Sequence, residues 1–160
     1  DNIMALNRTY ISTAEKIETA ILQHLRYEGD FRGCALVMHG LALESPEKLP
    51  CAIVHCTNVS THEGFQLAAR SFRATVNITL YGDSEQMTKA KFQKYAREIE
   101  RKLFTDTDLQ KWFNPPESGR DVRKIRGMYL HQFADWNTES TIDGTTWKHM
   151  TNIGLIFQSI

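Results

Sequence analysis

Residues 71–104 hold the pattern that most restricts how this chain can fold. Phe72, Ala74, Val76, Ile78 and Leu80 alternate with Ser71, Arg73, Thr75, Asn77, Thr79 and Tyr81. Side chains on a strand face opposite ways with period two, so this spacing predicts a long strand with one dry face. Gly82-Asp83 then breaks the strand and the period changes to that of a helix. Phe92, Tyr95, Ala96, Ile99 and Leu103 form one stripe, extended backwards by Ala90 and Met87. Asp83 and Gln86 have the spacing of a capping box, which predicts a helix start at Asp83. Asp83 and Glu85 at the opening, with Arg101 and Lys102 at the close, suit the helix dipole. A two-faced strand running into an amphipathic helix is one packing unit: the stripe covers the sheet's dry face.

The flanking sequence adds similar pieces. Ser12 and Glu15 are spaced as a capping box, and Ala14, Ile17, Ile21 and Leu25 line one face of a helix over 12–27. Cys34–His39 and Cys51–Thr57 are short apolar runs that suit strands, joined by a Pro-punctuated connection. A polar link, 58–69, leads to the central strand. Beyond the second helix, 105–124 is a long inserted loop in which Leu109–Phe113 suit a short helix stopped by Pro115-Pro116. Strands over 123–136 and 145–158 follow, with the polar stretch 137–144 as their hairpin tip. Residues 1–11 carry no period and read as an extended arm. The order is α-β-β-β-α-β-β: a single α+β domain over 1–160, with a mixed or antiparallel sheet of about five strands and both helices on one face.

Function classes narrow quickly. With 19 basic and 19 acidic residues, net charge commits the chain to neither nucleic acid nor membrane. No run approaches the length of a membrane span, and the amino-terminal stretch lacks the basic-then-apolar order of a secretion signal. Three cysteines, Cys34, Cys51 and Cys56, are an odd number and read as reduced thiols in a cytosol. Cys51, His55 and Cys56 are close in sequence, but Cys51 and Cys56 fall on opposite faces of a strand, so core packing is favoured over a metal. The chain has no Gly-rich phosphate loop, no Gly-x-Ser-x-Gly and no His-Glu-x-x-His. No catalytic, metal or cofactor residues are therefore assigned, and the chain is expected not to be an enzyme. Lys89, Lys91, Lys94, Arg97, Arg101 and Lys102 are interspersed with Glu85, Glu98 and Glu100, which favours a solvated helix face over a nucleic-acid patch.

Candidate interface residues remain. Trp112, Phe113, Trp136 and Trp147 fall in loops or near strand ends, where core packing and a protein contact are equally open readings. Phe65 and Leu67 form an apolar patch in the polar link. Tyr81, Met150 and Ile156 lie on the sheet side away from the helices. Both faces of the last strand and of Cys51–Thr57 carry apolar groups, more than a monomer readily buries, which predicts self-assembly.

The succession of elements is also suggestive. An amino-terminal helix precedes Leu-Pro-Cys-Ala-Ile-Val, then a loop and a long alternating strand ending in Tyr-Gly-Asp. An Ala-Arg-Glu-Ile-Glu-Arg-Lys-Leu helix and a two-stranded finish complete it. This texture, over about residues 12–158, resembles the tail terminator (tail completion) proteins of long-tailed bacteriophages. The connection 105–124 is longer than that pattern, and Cys34–His39 is unusually apolar. The resemblance implies a non-catalytic virion subunit, assembled in the host cytoplasm and forming a homohexameric ring at the head-proximal end of the tail. Its implied partners are copies of itself, the tail tube protein and a neck or head-completion protein, with the sheath added in a contractile tail. Genomic DNA would pass through the ring without specific binding. Another head–tail junction protein, such as a neck or stopper protein, and a small nucleic-acid-binding α+β domain are the alternatives.

Overall fold

The computed structural model describes residues 12–38, 50–61, 71–105, 109 and 128–159. Helix α1 spans Thr13–Glu28, capped by Ser12, whose hydroxyl accepts the Glu15 N–H at 3.2 Å. Strands β1 (Ala35–Met38), β2 (Cys51–Thr61) and β3 (Ser71–Asp83) precede helix α2 (Lys89–Glu100). A single π-helical turn, Arg101–Thr105, continues α2, and β4 (Met128–Asp143) and β5 (Thr146–Ser159) finish the chain. The five strands form one sheet in the order β1-β2-β3-β5-β4. β1 and β2 are parallel and every other pair is antiparallel, so this is a mixed α+β sheet.

The alternation of β3 is obeyed residue by residue. Ala74, Val76, Ile78 and Leu80 are each fully buried, and the register carries that face across to Ala52, Val54 and Cys56 on β2 and to Ile153, Leu155 and Phe157 on β5. Ile17, Ile21 and Leu25 from α1, with Phe92, Tyr95, Ala96 and Ile99 from α2, close over them as one core cluster. Leu103 in the π turn and Leu109 beyond it join the same core. His24 is wholly buried and ties α1 to that turn, its Nε2 lying 3.0 Å from the Lys102 carbonyl. The Tyr95 hydroxyl donates to the Arg32 carbonyl and anchors the chain between α1 and β1.

Element boundaries differ from the sequence expectation in three places. Helix α2 starts at Lys89, not at Asp83: Thr88 caps it and accepts the Lys91 N–H at 3.2 Å. Asp83 is still in register with Thr146 as the last residue of β3, so the chain needs a turn before a helix can begin. The Asp83 carboxylate closes that turn by accepting the Glu85 N–H at 2.9 Å. The hairpin tip is not 137–144 but Gly144-Thr145, with Gly144 at φ 58. Asn137–Ile142 are exposed strand residues, and their polarity reflected an outer position rather than a loop. Lastly, β2 passes through a bulge between Cys56 and Asn58 and runs on to Thr61. The expected arm 1–11 and most of the loop 105–124 lie outside the described residues.

Candidate functional site

With the helices on one face, the opposite face of the sheet is bare among the described elements, and the register fixes what it presents. His55, Asn77, Asn152 and Asn137 form one row across β2, β3, β5 and β4. The next row is Asn58, Thr75, Gly154 and Asp135, and on the other side lie Ile53, Thr79, Met150 and Glu139. A basin of about 380 Å³ opens between these rows, walled by Thr57, Thr75, Asn77, Asp135, Asn137 and Asn152. The Asn77 Oδ1 is buried there without a hydrogen-bond partner. Arg73 spans β5 to meet Asp135 at 2.7 Å, so the basin's rim is neutral. This part of the face is polar, which suits a subunit contact with trapped water better than a dry core.

The two edges of the sheet are treated differently. Strand β1 is only four residues long, and the Arg26 guanidinium occupies the outward carbonyl of Leu36. Beside it lies a hollow of about 570 Å³ lined by Arg26, Phe31, Arg32, Cys34 and Leu36. Beyond β1, β2 is the edge among the described residues, and there buried Glu18 takes the Cys56 N–H at 2.8 Å, with His55 Nδ1 at 3.3 Å from the same oxygen. Short strands and polar caps are how proteins blunt an edge. At the far side β4 is 16 residues long, and no described element lies beyond it. Trp136 and Ile142, two of the large exposed apolar residues, are both on it, at 53% and 64% exposure.

The residues singled out from sequence divide accordingly. Trp136 packs on Phe104 with ring centroids 4.6 Å apart yet stays largely open. Trp147 instead faces the core, tilted against Phe92 at 5.4 Å. Tyr81 and Met150 lie half-buried on the bare face, where the Lys148 ammonium sits 6.0 Å from the Tyr81 ring centroid. Ile156 shares that face but is buried at 5% exposure. Phe65, Leu67, Trp112 and Phe113 lie outside the described residues. The Asn row, the Arg73–Asp135 bridge and the Glu18 cap were not anticipated. Gly154 inside β5 was the available signal, since a mid-strand glycine marks close approach of another group.

Chemistry elsewhere is sparse. Ser140 Oγ lies 2.6 Å from His149 Nδ1, and Glu100 lies 3.7 Å from His149 Nε2. Those residue types can make a nucleophile, base and orienter, but Nε2 has no hydrogen-bond partner, so nothing fixes the ring as a general base. The contact instead ties the β4–β5 hairpin to the end of α2. Burial pushes the Cys34 thiol up to about 12, aided by neighbouring Cys51, and pushes Cys56 up to about 11. Among the described residues no group of His, Cys, Asp and Glu is placed to hold a metal. Lys89, Lys91 and Arg97 are exposed on α2, whereas Lys102 is buried. Lys94 meets Asp30 at 3.6 Å and Arg101 meets Glu98 at 2.6 Å. That Arg101 bond, with the Asp30 N–H, holds the Glu98 carboxyl below the usual range. No described helix is long and apolar enough to cross a membrane. No protein-family model matches the chain, and no curated protein matches it.

Proposed function

We propose that this chain is a structural subunit that assembles into a closed ring, and that the ring is a tail terminator of a long-tailed bacteriophage. The observation that carries the assembly reading is the inequality of the two sheet edges, one capped and one long with no described element beyond it. One long edge left for another chain to pair with supports assembly, and a contact between unlike surfaces closes into a ring when the rotation permits. The element order, with its closing β4–β5 hairpin, supports the tail terminator identity through resemblance alone. In that role the protein would stop growth of the tail tube and present a surface to the neck, with six copies as the resemblance implies. Another head–tail junction protein is the nearest alternative, distinguished by binding the neck without arresting tube growth.

Light scattering on the purified protein, followed by electron microscopy with and without tail tubes, tests the reading. Rings that seat on tube ends and halt their extension are the expected result. A protein that stays monomeric at high concentration, alone and with tail components, would overturn it. Exposed Lys89, Lys91 and Arg97 favour nucleic acid as a second reading, and a salt-sensitive mobility shift of DNA by that monomer would support it.

A further inference from the structure

Arg26, Arg32 and Lys94 gather at the corner where α1 gives way to β1, and the fold holds the two arginines in place. Arg26 stands in the last turn of α1, with its guanidinium fixed on the Leu36 carbonyl. Arg32 takes the second position of a turn closed by the Cys34 N–H on the Phe31 carbonyl at 3.0 Å. Gly33 follows at φ 83, the left-handed third position of a type II turn. The Tyr95 hydroxyl bonds the Arg32 carbonyl, and the Tyr95 ring stacks on Phe31 with centroids 6.3 Å apart. Arg32 is thus anchored by its backbone while its side chain is 97% exposed.

Acids at this corner do not match the cations. Asp30 is shared between Arg32 at 3.9 Å and Lys94 at 3.6 Å. The Glu98 carboxylate is already held by Arg101 and by the Asp30 N–H. Arg26 makes no ion pair among the described residues. Both arginines line the hollow of about 570 Å³ beside β1, and no carboxylate is among its walls. Glu28, exposed at the end of α1, is not one of them. The other side chains there are apolar, chiefly Phe31, Leu36 and Val37.

Ordinary roles account for each arginine singly. A basic residue in a last turn suits the helix dipole, and an arginine on a turn is well solvated. Those roles do not require two guanidiniums on the walls of one acid-free hollow. Its size falls in the range of about 300–1,000 Å³ usual for ligand pockets. Fixed guanidiniums beside apolar walls select an oxyanion carried on an apolar stem. Nucleic acid fits less well, because Phe31 is buried and presents no ring for a base to stack on. Strand addition is opposed as well, since Arg26 already occupies the Leu36 carbonyl. A protein segment with carboxylates beside aliphatic side chains meets both requirements, and arginine is favoured at the centres of protein contacts.

We infer that the corner between α1 and β1 is a docking site for an acidic, aliphatic segment of a partner protein. Arg26 and Arg32 take its carboxylates, and an adjacent apolar side chain enters the hollow. The site is complete within one copy of the chain. It therefore goes beyond the ring reading and stands whether or not rings form.

Fluorescence anisotropy with a labelled peptide of alternating glutamate and leucine tests this on the whole chain. Binding should weaken about tenfold or more in Arg32→Gln and in Arg26→Gln, and should fall with added salt. Arg32→Gln should keep the wild-type circular dichroism, because that side chain is exposed. Lys89→Gln with Lys91→Gln removes as much charge from the exposed face of α2 as the two arginine changes together, and should leave binding near wild type. Equal losses in the lysine and arginine variants would reduce the contact to unspecific charge and overturn the site. A glutamate–serine peptide should bind far more weakly, and equal binding would mean that the hollow takes no part. A DNA oligonucleotide that binds more tightly than the peptide and needs the same arginines would overturn the protein segment as occupant. Absence of saturable peptide binding at millimolar concentration would overturn the assignment altogether.

Discussion

The Arg73 guanidinium crosses over Gly154 to reach Asp135, so β3 and β4 are joined by an ion pair above the strand that separates them. A Cβ at position 154 would lie 2.5 Å from Asp135 Oδ1 and 2.7 Å from Arg73 Nη2. Both obstructing atoms are ends of flexible side chains on a partly exposed face, so displacing them is cheap. Gly154→Ala should change stability by less than about 1 kcal/mol, because an exposed pair is worth no more than that and Ala suits a strand better than Gly. Urea titration checks it. A loss above about 2 kcal/mol would show that the backbone, not the ion pair, needs the glycine.

Ile78 and Thr79 are adjacent in sequence and face opposite sides of the sheet. Ile78 is fully buried beneath the helices, and Ile78→Ala should cost about 2–5 kcal/mol. Thr79 lies on the bare face between Ile53 and Met150 in register, and Thr79→Ala should cost less than about 1.5 kcal/mol in the monomer. Equal losses for the two variants would contradict the assignment of faces.

The thiols give a pH dependence with a definite sign. Burial raises Cys34 to about 12 and Cys56 to about 11 from an ordinary value of 9.0. Below pH 9 both are neutral in folded and unfolded chains, and their contribution is fully present. As pH rises from 9 towards 12 the unfolded chain ionises first, so stability should fall across that window. Cys34→Ala should flatten the alkaline slope of the unfolding free energy. Near neutral pH the native protein should react slowly with a thiol reagent, because little thiolate is present.

Strand and helix identities were legible wherever a period ran long enough. β3 and the stripe of α2 could be read directly, because one face of each is uniformly apolar. Register could not be read, and the bare face depends on it. Asn77, Asn137 and Asn152 are unremarkable when taken singly, and they form a row only once β5 is set between β3 and β4. Polar Asn137–Ile142 read as a loop because the outermost strand of the described sheet, exposed on both faces there, lacks the alternation that burial imposes. Trp147 and Trp136 were indistinguishable in sequence, and only the meeting of Trp147 with Phe92 turns one inward.

Glu18 offers the sharpest test of edge protection. One of its carboxylate oxygens takes the Cys56 N–H at 2.8 Å and lies 3.3 Å from His55 Nδ1, at the place where β2 loses β1 as a neighbour. Glu18→Ala removes the acceptor and leaves a buried N–H unpaired, which should cost about 1–3 kcal/mol. Glu18→Gln keeps a carbonyl oxygen of the same reach and should recover much of that loss. The diagnostic readout is amide hydrogen exchange at Cys56. It should accelerate strongly in Glu18→Ala and weakly in Glu18→Gln, while Ile78 in the middle of β3 remains protected in both. The alanine variant should also self-associate more readily under mild destabilisation, because β2 then presents an open edge. Exchange at Cys56 that is unchanged by either substitution would mean that the carboxylate does not guard this edge.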